Sequence, residues 1–449
     1  MTRNFIIADY DAVLDTKIRL GDVLPENHLA RFVVSTISQL DLKAIYAGYG
    51  GQGGAAYAPE LLSGLLIYGY ATGVFSSRKI ERATYETVPF LFIAGGKHPD
   101  HDTINAFRSR FLSEVKELFV QVLLIAQTMQ ILQLGNISLD GSKIHADASK
   151  SQAVSYKRLL ELEVLLRREV EELFALAEKA EAVEGFDPQV EITRRQQQLV
   201  GLAEAKKVLE LRAQARHAQE MAEYEARLAV RAEKAQRTGK QPPGQPPSPP
   251  TPGVRDKDQY NFTDPESRIM KDGNKAGFEQ CYNGQLAVDQ ESLLIVAVTL
   301  SNHPNDQQEA LPTVDAISPA VGVPTAVALD AGYFSQSNVA GLLARQIEPY
   351  IATGREPHHV TWQSLLQPLS DPPSPDAPLA VQMAYKLRTE IGQRIYGARK
   401  ATVEPVVGII KEVMGFRQFS LRGLEKAAGE WSLVCLAFNF KRLHSICTA

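Results

Sequence analysis

Apolar positions in residues 1–135 recur at helical spacing, with Leu29, Phe32, Val33, Ile37 and Leu40 on one stripe. A second helix is predicted from about Pro59 through Tyr70, and between the two lies a glycine loop, GYGGQGG, at 48–54. That loop lacks the Gly-Lys-Ser/Thr ending of a P-loop and follows no strand pattern, so it reads as a flexible connector, with nucleotide binding the weaker alternative. Residues 73–86, GVFSSRKIERATYE, predict a turn into a short basic helix. Residues 98–111, HPDHDTINAFRSRF, predict a helix carrying Arg108 and Arg110, capped by Asp102 or Thr103. His98, His101 and Asp102 lie in the turn before it, where capping chemistry outweighs a metal site.

At 136–144, NISLDGSKI, the pattern becomes that of a strand bounded by Gly135 and Gly141, with Asp140 at its end. Asp-Gly is also a hairpin signal, so this aspartate alone reads as a turn former. Residues 156–236 change character: Leu162, Leu166, Val170, Leu173 and Ala177 step by three and four between Glu and Arg. The break GFDP at 185–188 separates two helical runs, predicting an antiparallel helical hairpin or coiled-coil arm whose apolar seam thins toward its end and needs a partner. GKQPPGQPPSPPTPG at 239–253 is a proline-rich spacer that can be neither helix nor central strand.

Sheet patterning returns with GQLAVDQ and LLIVAVTLS, a predicted hairpin turning at Glu291 and Ser292. A helix at about 307–317 precedes TAVALD at 325–330, a continuous apolar strand ending in Asp330 and therefore buried on both faces. A helix at 335–345, a strand at 348–354 and a proline-rich loop at 369–378 lead to RIYGARKATVEPVVGIIK at 394–411. There Thr402 is expected to cap a helix with Pro405 in its first turn. Val403, Val407, Ile410 and Met414 form an apolar face, and Glu404, Gly408, Lys411 and Gly415 another. A bare backbone at Gly408 costs helix stability and implies close approach by something large. Alone, Glu404 is a dipole-complementing residue. The chain ends in a helix at 424–443 bearing Trp431, Leu436, Phe438 and Phe440.

Composition changes this picture only locally. At 449 residues, with 44% apolar and 22% charged residues, the chain is a globular protein of two or three domains. The net charge of −4 is no sign of nucleic-acid binding. From Val381 onward, however, eleven Lys and Arg stand against five Glu, a footprint for a polyanion that ordinary surface charge also produces. Cys281, Cys435 and Cys447 are too few and too scattered for a disulfide framework or a zinc site. With no apolar run of about 18 residues and no signal-peptide core in MTRNFIIADYD, no membrane role and an intracellular, reducing compartment are expected.

Set in strand order, Asp140 ends the first strand, Asp330 the fourth, and Glu404 opens a late helix. In an α/β sheet, ligands gather at the carboxyl ends of strands, so these three acids can converge. Three carboxylates without His or Cys suit Mg²⁺ or Mn²⁺, and two ions sharing an aspartate can clamp both oxygens of an in-line displacement at phosphorus.

The phrases SLDGSKIHADASK, DPESRIM, YNGQLAVD, ALDAGYFS and KATVEPVVGIIK resemble, in this order, the DDE transposases of bacterial insertion sequences. SSRKIER and PDHDTINAFR look like the helical domain that precedes the catalytic core in one branch of that family. The resemblance covers most of the chain outside the coiled arm and proline spacer. It implies an α/β, RNase H-like mixed sheet flanked by helices at 136–150 and 255–449, an all-helical DNA-binding domain at 1–135, and a helical insertion at 151–254. It also implies catalytic and metal-binding Asp140, Asp330 and Glu404, with Tyr396, Arg399 and Lys411 as DNA-binding residues. In the family's signature the arginine precedes the glutamate with three residues between; here four separate Arg399 from Glu404 and three separate Lys400, so either can contact phosphate. The implied reaction is metal-dependent cleavage at element ends and strand transfer into target DNA, with two Mg²⁺ or Mn²⁺. Implied partners are terminal inverted repeats, target DNA and a homodimer or larger synaptic assembly, in the bacterial cytoplasm. A non-catalytic DNA-binding scaffold and a metal nuclease without strand transfer are the alternatives.

Overall fold

The computed structural model describes residues 19–49, 56–178, 186–271, 277–354 and 371–448. The N-terminal residues 1–18, most of the glycine loop and the start of the proline-rich loop at 369–370 lie outside the described residues. Two compact units form, one from residues 1–144 with 282–449 and the other from residues 145–281.

The first unit opens with eight helices, α1 (Leu20–Val23), α2 (Leu29–Ile37), α3 (Lys43–Ala47), α4 (Pro59–Ala71), α5 (Ser77–Glu86), α6 (Val88–Ile93), α7 (His101–Arg110) and α8 (Leu112–Thr128). In α4, Pro59 sits in the first turn, and every residue from Leu62 to Ala71 is buried. A helix apolar all round belongs at the centre of a bundle. The cap of α7 is neither Asp102 nor Thr103: Asp100 accepts from Thr103 N–H at 2.8 Å, which starts the helix at His101.

Then comes β1 (Asn136–His145), which runs straight through Asp140 and Gly141 instead of ending there. The second unit holds β2 (Ala153–Ser155), α9 (Tyr156–Glu178), α10 (Pro188–Thr238), β3 (Gln259–Asn261) and β4 (Arg268–Lys271). β2 pairs antiparallel with β3, and β4 with the first residues of β5 (Phe278–Asp289). Asp187 caps α10 and Pro188 occupies its first turn. Leu159 of α9 packs on Leu202, Ala205 and Leu209 of α10. Glu163 meets Lys206, and Glu169 meets Arg195, so the helices are antiparallel. Beyond Ala213, α10 buries no residue. Its outer half is lined instead by the proline-rich segment: Arg231 donates to the Pro242 and Gly244 carbonyls, and Arg216 to Gly253 O and Asp258. The spacer thus runs back along the helix that precedes it.

The first unit resumes within β5 and continues through β6 (Ile295–Ser301), α11 (Ala310–Asp315), β7 (Ala326–Leu329), α12 (Gln336–Ala344) and β8 (Glu348–Ile351). It ends with α13 (Leu379–Arg388), α14 (Glu390–Gly397), α15 (Arg399–Gly408) and α16 (Leu424–Cys447). Its sheet has the order β6-β5-β1-β7-β8. β5 and β6 are the expected antiparallel hairpin, while β1, β7 and β8 run parallel. Gln290 N–H at the end of β5 donates to Asn136 O at the start of β1, so those neighbours are antiparallel. All four residues of β7 are buried, as a strand covered on both faces requires. α16 packs across α4, α8 and β6, with Trp431 buried over Gly284. The result is a mixed α/β sheet beside a mostly helical N-terminal region. No helix among the described residues is long and apolar enough to cross a membrane.

Candidate active site

Ser138 of β1 stands opposite Ala328 of β7, and the same register continued by two residues sets Asp140 beside Asp330. The first acid sits within its strand. The second lies one residue past β7, where its side chain accepts from Gly332 N–H at 2.8 Å and caps a short 3₁₀ turn, Ala331–Tyr333. The charge of Asp330 acts on Asp140, so the two acids lie close together at this end of the parallel β1–β7 pair.

The third acid is placed differently from the sequence expectation. Glu404 does not open a helix: α15 starts at Arg399, and Pro405 lies inside it. Thr402 is not a cap either. Its hydroxyl donates within the helix to Ala398 O and is 2.8 Å from Ser138 Oγ on β1. Proline removes one helical hydrogen bond, and the helix then widens into a π turn, Ile409–Val413. Val403, Val406, Ile410 and Met414 are buried, Val406 taking a place expected for Val407. Lys411 Nζ donates to Lys143 O at 3.0 Å. Thr402 and Lys411 thus pin this helix to β1 on either side of Asp140.

Arg399 joins the acids. Its guanidinium donates to Asp140 Oδ2 at 3.0 Å and to Glu404 Oε1 at 3.2 Å. Lys400, the alternative by spacing, is exposed, and Tyr396 packs partly buried beside Ile395 against β7 and β8. Burial raises the Asp140 carboxyl, Arg399 pulls it back, and the charges of Asp330 and Asp306 push it up again, which together leave it at about 6. Burial opposes the Arg399 charge, but Asp140, Tyr396, Asp330 and Glu404 raise its pKa above the ordinary value.

These oxygen donors match Mg²⁺ or Mn²⁺ in chemistry, and a cation would relieve the crowding of charge at Asp140. Among the described residues, though, no three His, Cys, Asp or Glu side chains are grouped closely enough to hold a metal ion. The fit lies in the Asp140–Asp330 pair, with Glu404 linked to it through Arg399.

Sequence reasoning passed over a polar cluster beside this pair. Asp306 Oδ1 accepts from Asn283 Nδ2 at 2.6 Å, Gln285 Nε2 at 2.9 Å and Lys143 Nζ at 3.3 Å. The Tyr333 hydroxyl donates to Gln285 Oε1. Asn283, Gln285 and Tyr333 are fully buried. A Cβ on Gly141 would come within 2.3 Å of Gln285 Nε2 and 2.6 Å of Asp306 Oδ1, so the glycine after Asp140 serves packing and not a hairpin turn. The signal was present in YNGQLAVD and ALDAGYFS, two of the phrases that carried the resemblance.

Residues 376–444 match a family model described as "Transposase DDE domain", and residues 18–110 match one described as "Transposase domain (DUF772)". The first covers Tyr396, Arg399, Lys400, Glu404 and Lys411; Asp140 and Asp330 lie outside both. No curated protein and no solved structure matches the chain. With a transposase model matched toward each end, the resemblance to the DDE transposases of insertion sequences is borne out.

Proposed function

We propose that the chain is a metal-dependent transposase that cuts DNA at the ends of its element and joins them to target DNA. What supports this is the β1–β7 register, which continued by two residues brings Asp140 level with Asp330, together with Arg399, which donates to both Asp140 and Glu404. The strand order β6-β5-β1-β7-β8, three antiparallel strands followed by parallel ones, supports an RNase H-like core.

In this reading Asp140 and Asp330 hold divalent ions and Glu404 completes the set. Bound Mg²⁺ or Mn²⁺, two ions in the family resembled, would supply Lewis-acid stabilisation of the attacking and leaving oxygens. Water oxygen bonds to phosphorus as the P–O3′ bond breaks, leaving a 3′-hydroxyl on the element and a 5′-phosphate on the flank. That hydroxyl then bonds to a target phosphorus and a target 3′-oxygen leaves, so the number of phosphodiesters is conserved. Exposed Lys400, with Tyr396, contacts the DNA backbone. Arg399 is committed to the acids, and Lys411 holds β1 while its helix meets the DNA. Such contacts position the duplex, whereas recognition of terminal repeats requires base contacts, which we assign to the helices of residues 1–135. Two ends must meet, so the working form is a homodimer or larger assembly in the cytoplasm.

Supercoiled DNA carrying the element's ends, incubated with Mg²⁺, tests the reading. Cleavage with joining by the wild type, lost in Asp330→Asn, is expected. Cleavage without joining would make the protein a nuclease, and equal activity in the variant would remove Asp330 from the site. DNA binding with no cleavage by either protein would leave a scaffold.

A further inference from the structure

The buried amide of Gln285 makes an unusual crossing. It belongs to β5, yet its partner, the Tyr333 hydroxyl, belongs to the turn that follows β7, and β1 lies between those two strands. Neighbouring strands are about 4.8 Å apart, so the link spans roughly 10 Å. Only a residue without a side chain lets it pass, and β1 has Gly141 there, next to Asp140. On the near side, Gln285 Nε2 is held by Asp306, which also takes Asn283 and Lys143. The main chain is fixed as well: Trp431 Nε1 donates to Gln285 O at 3.2 Å. At the far end, Tyr333 stands three residues after Asp330 in the turn that Asp330 itself caps.

We propose that Gln285 and Tyr333 are positioning residues that fix the spacing of Asp140 and Asp330. The link runs from one side of β1 to the turn carrying the second acid. It therefore resists separation of that turn from the strand carrying the first, a motion that the short β1–β7 pairing alone resists weakly. Two carboxylates repel each other, so their separation needs such an external constraint. Removing the link leaves both acids present and their spacing unset.

This inference rests on the two-aspartate reading of the site, and Mn²⁺ binding separates the two. The full chain is titrated with Mn²⁺ at pH 8 and free ion is followed by electron paramagnetic resonance, with thermal unfolding as a check on folding. Asp140→Asn and Asp330→Asn should abolish the site. Tyr333→Phe, which removes one hydroxyl, and Gln285→Asn, which is too short to span, should each weaken Mn²⁺ binding by roughly 10- to 100-fold, the range for residues that orient ligands. A purely structural role would lower the unfolding midpoint without selectively weakening Mn²⁺ in the folded protein. Should both variants bind Mn²⁺ as the wild type does while the aspartate variants do not, the positioning role is overturned and the site stands. Unchanged binding by the aspartate variants would overturn both.

Discussion

Asp140 carries its negative charge at a cost. Its carboxyl titrates near 6 instead of 3.8, so between those values the folded state binds more protons than the unfolded one. Stability must then fall as pH rises through that window, by on the order of 3 kcal/mol once the group is fully ionised. Arg399 reduces this penalty without removing it. Asparagine imitates the neutral form, so without divalent ions Asp140→Asn should be more stable than the wild type at pH 8 and nearly equal to it below pH 4. Urea unfolding at the two pH values measures the difference. A wild-type-minus-variant gap that does not change with pH would contradict it. Such a gain would mark the aspartate as a residue kept at the expense of stability.

The α15 helix shows how local signals mislead at the scale of an element. Pro405 suggests a helix start, because proline is favoured in first turns, and that moved the expected boundary past Arg399. Tertiary contacts override it: Thr402 reaches Ser138 and Lys411 reaches the Lys143 carbonyl, and these fasten the helix to β1. The acids on strands were more legible, since apolar runs ending in aspartate depend only on neighbouring residues. Gln285 and Tyr333 were not, because their link joins residues far apart in the chain and passes over a glycine whose reason is invisible without the sheet. Gly408 belongs to the same helix, and a Cβ there would meet nothing within 4 Å. Gly408→Ala should therefore stabilise the protein by about 0.5–1 kcal/mol. If DNA lies on that face, binding of a short duplex should weaken in the same variant, as fluorescence anisotropy would show. Unchanged binding would place the DNA elsewhere.

Across the first unit, a buried carboxylate connects parts of the chain that are far apart in sequence. Glu430 of α16, fully buried, accepts from Tyr70 Oη of α4 at 2.8 Å and from the Ser420 and Leu421 amides at 2.8 and 3.0 Å. Arg108 of α7 donates to the same tyrosine and lies 3.8 Å from the carboxylate. The N-terminal helices are thereby tied to the segment that follows the third acid's helix. Breaking a buried ion pair costs about 3–5 kcal/mol, so Glu430→Ala should lower unfolding free energy by that amount in denaturant titrations. Glu430→Gln, which keeps hydrogen-bonding capacity, should lose less. Equal losses would mean that the charge, and not the hydrogen-bonding capacity, carries the whole contribution.

The antiparallel pairing of β1 with β5 has a consequence for how this chain can change over generations. The stretch from 145 to 281 leaves one strand and returns on its immediate neighbour, so its two junctions are adjacent. It is a graft on a hairpin. A single exchange of genetic material could lengthen, shorten or replace it while leaving the alignment of Asp140 with Asp330 untouched, because that alignment is set on the opposite flank of β1. The arm is thus a replaceable cassette, whose exchange need not disturb the strands that carry the two aspartates.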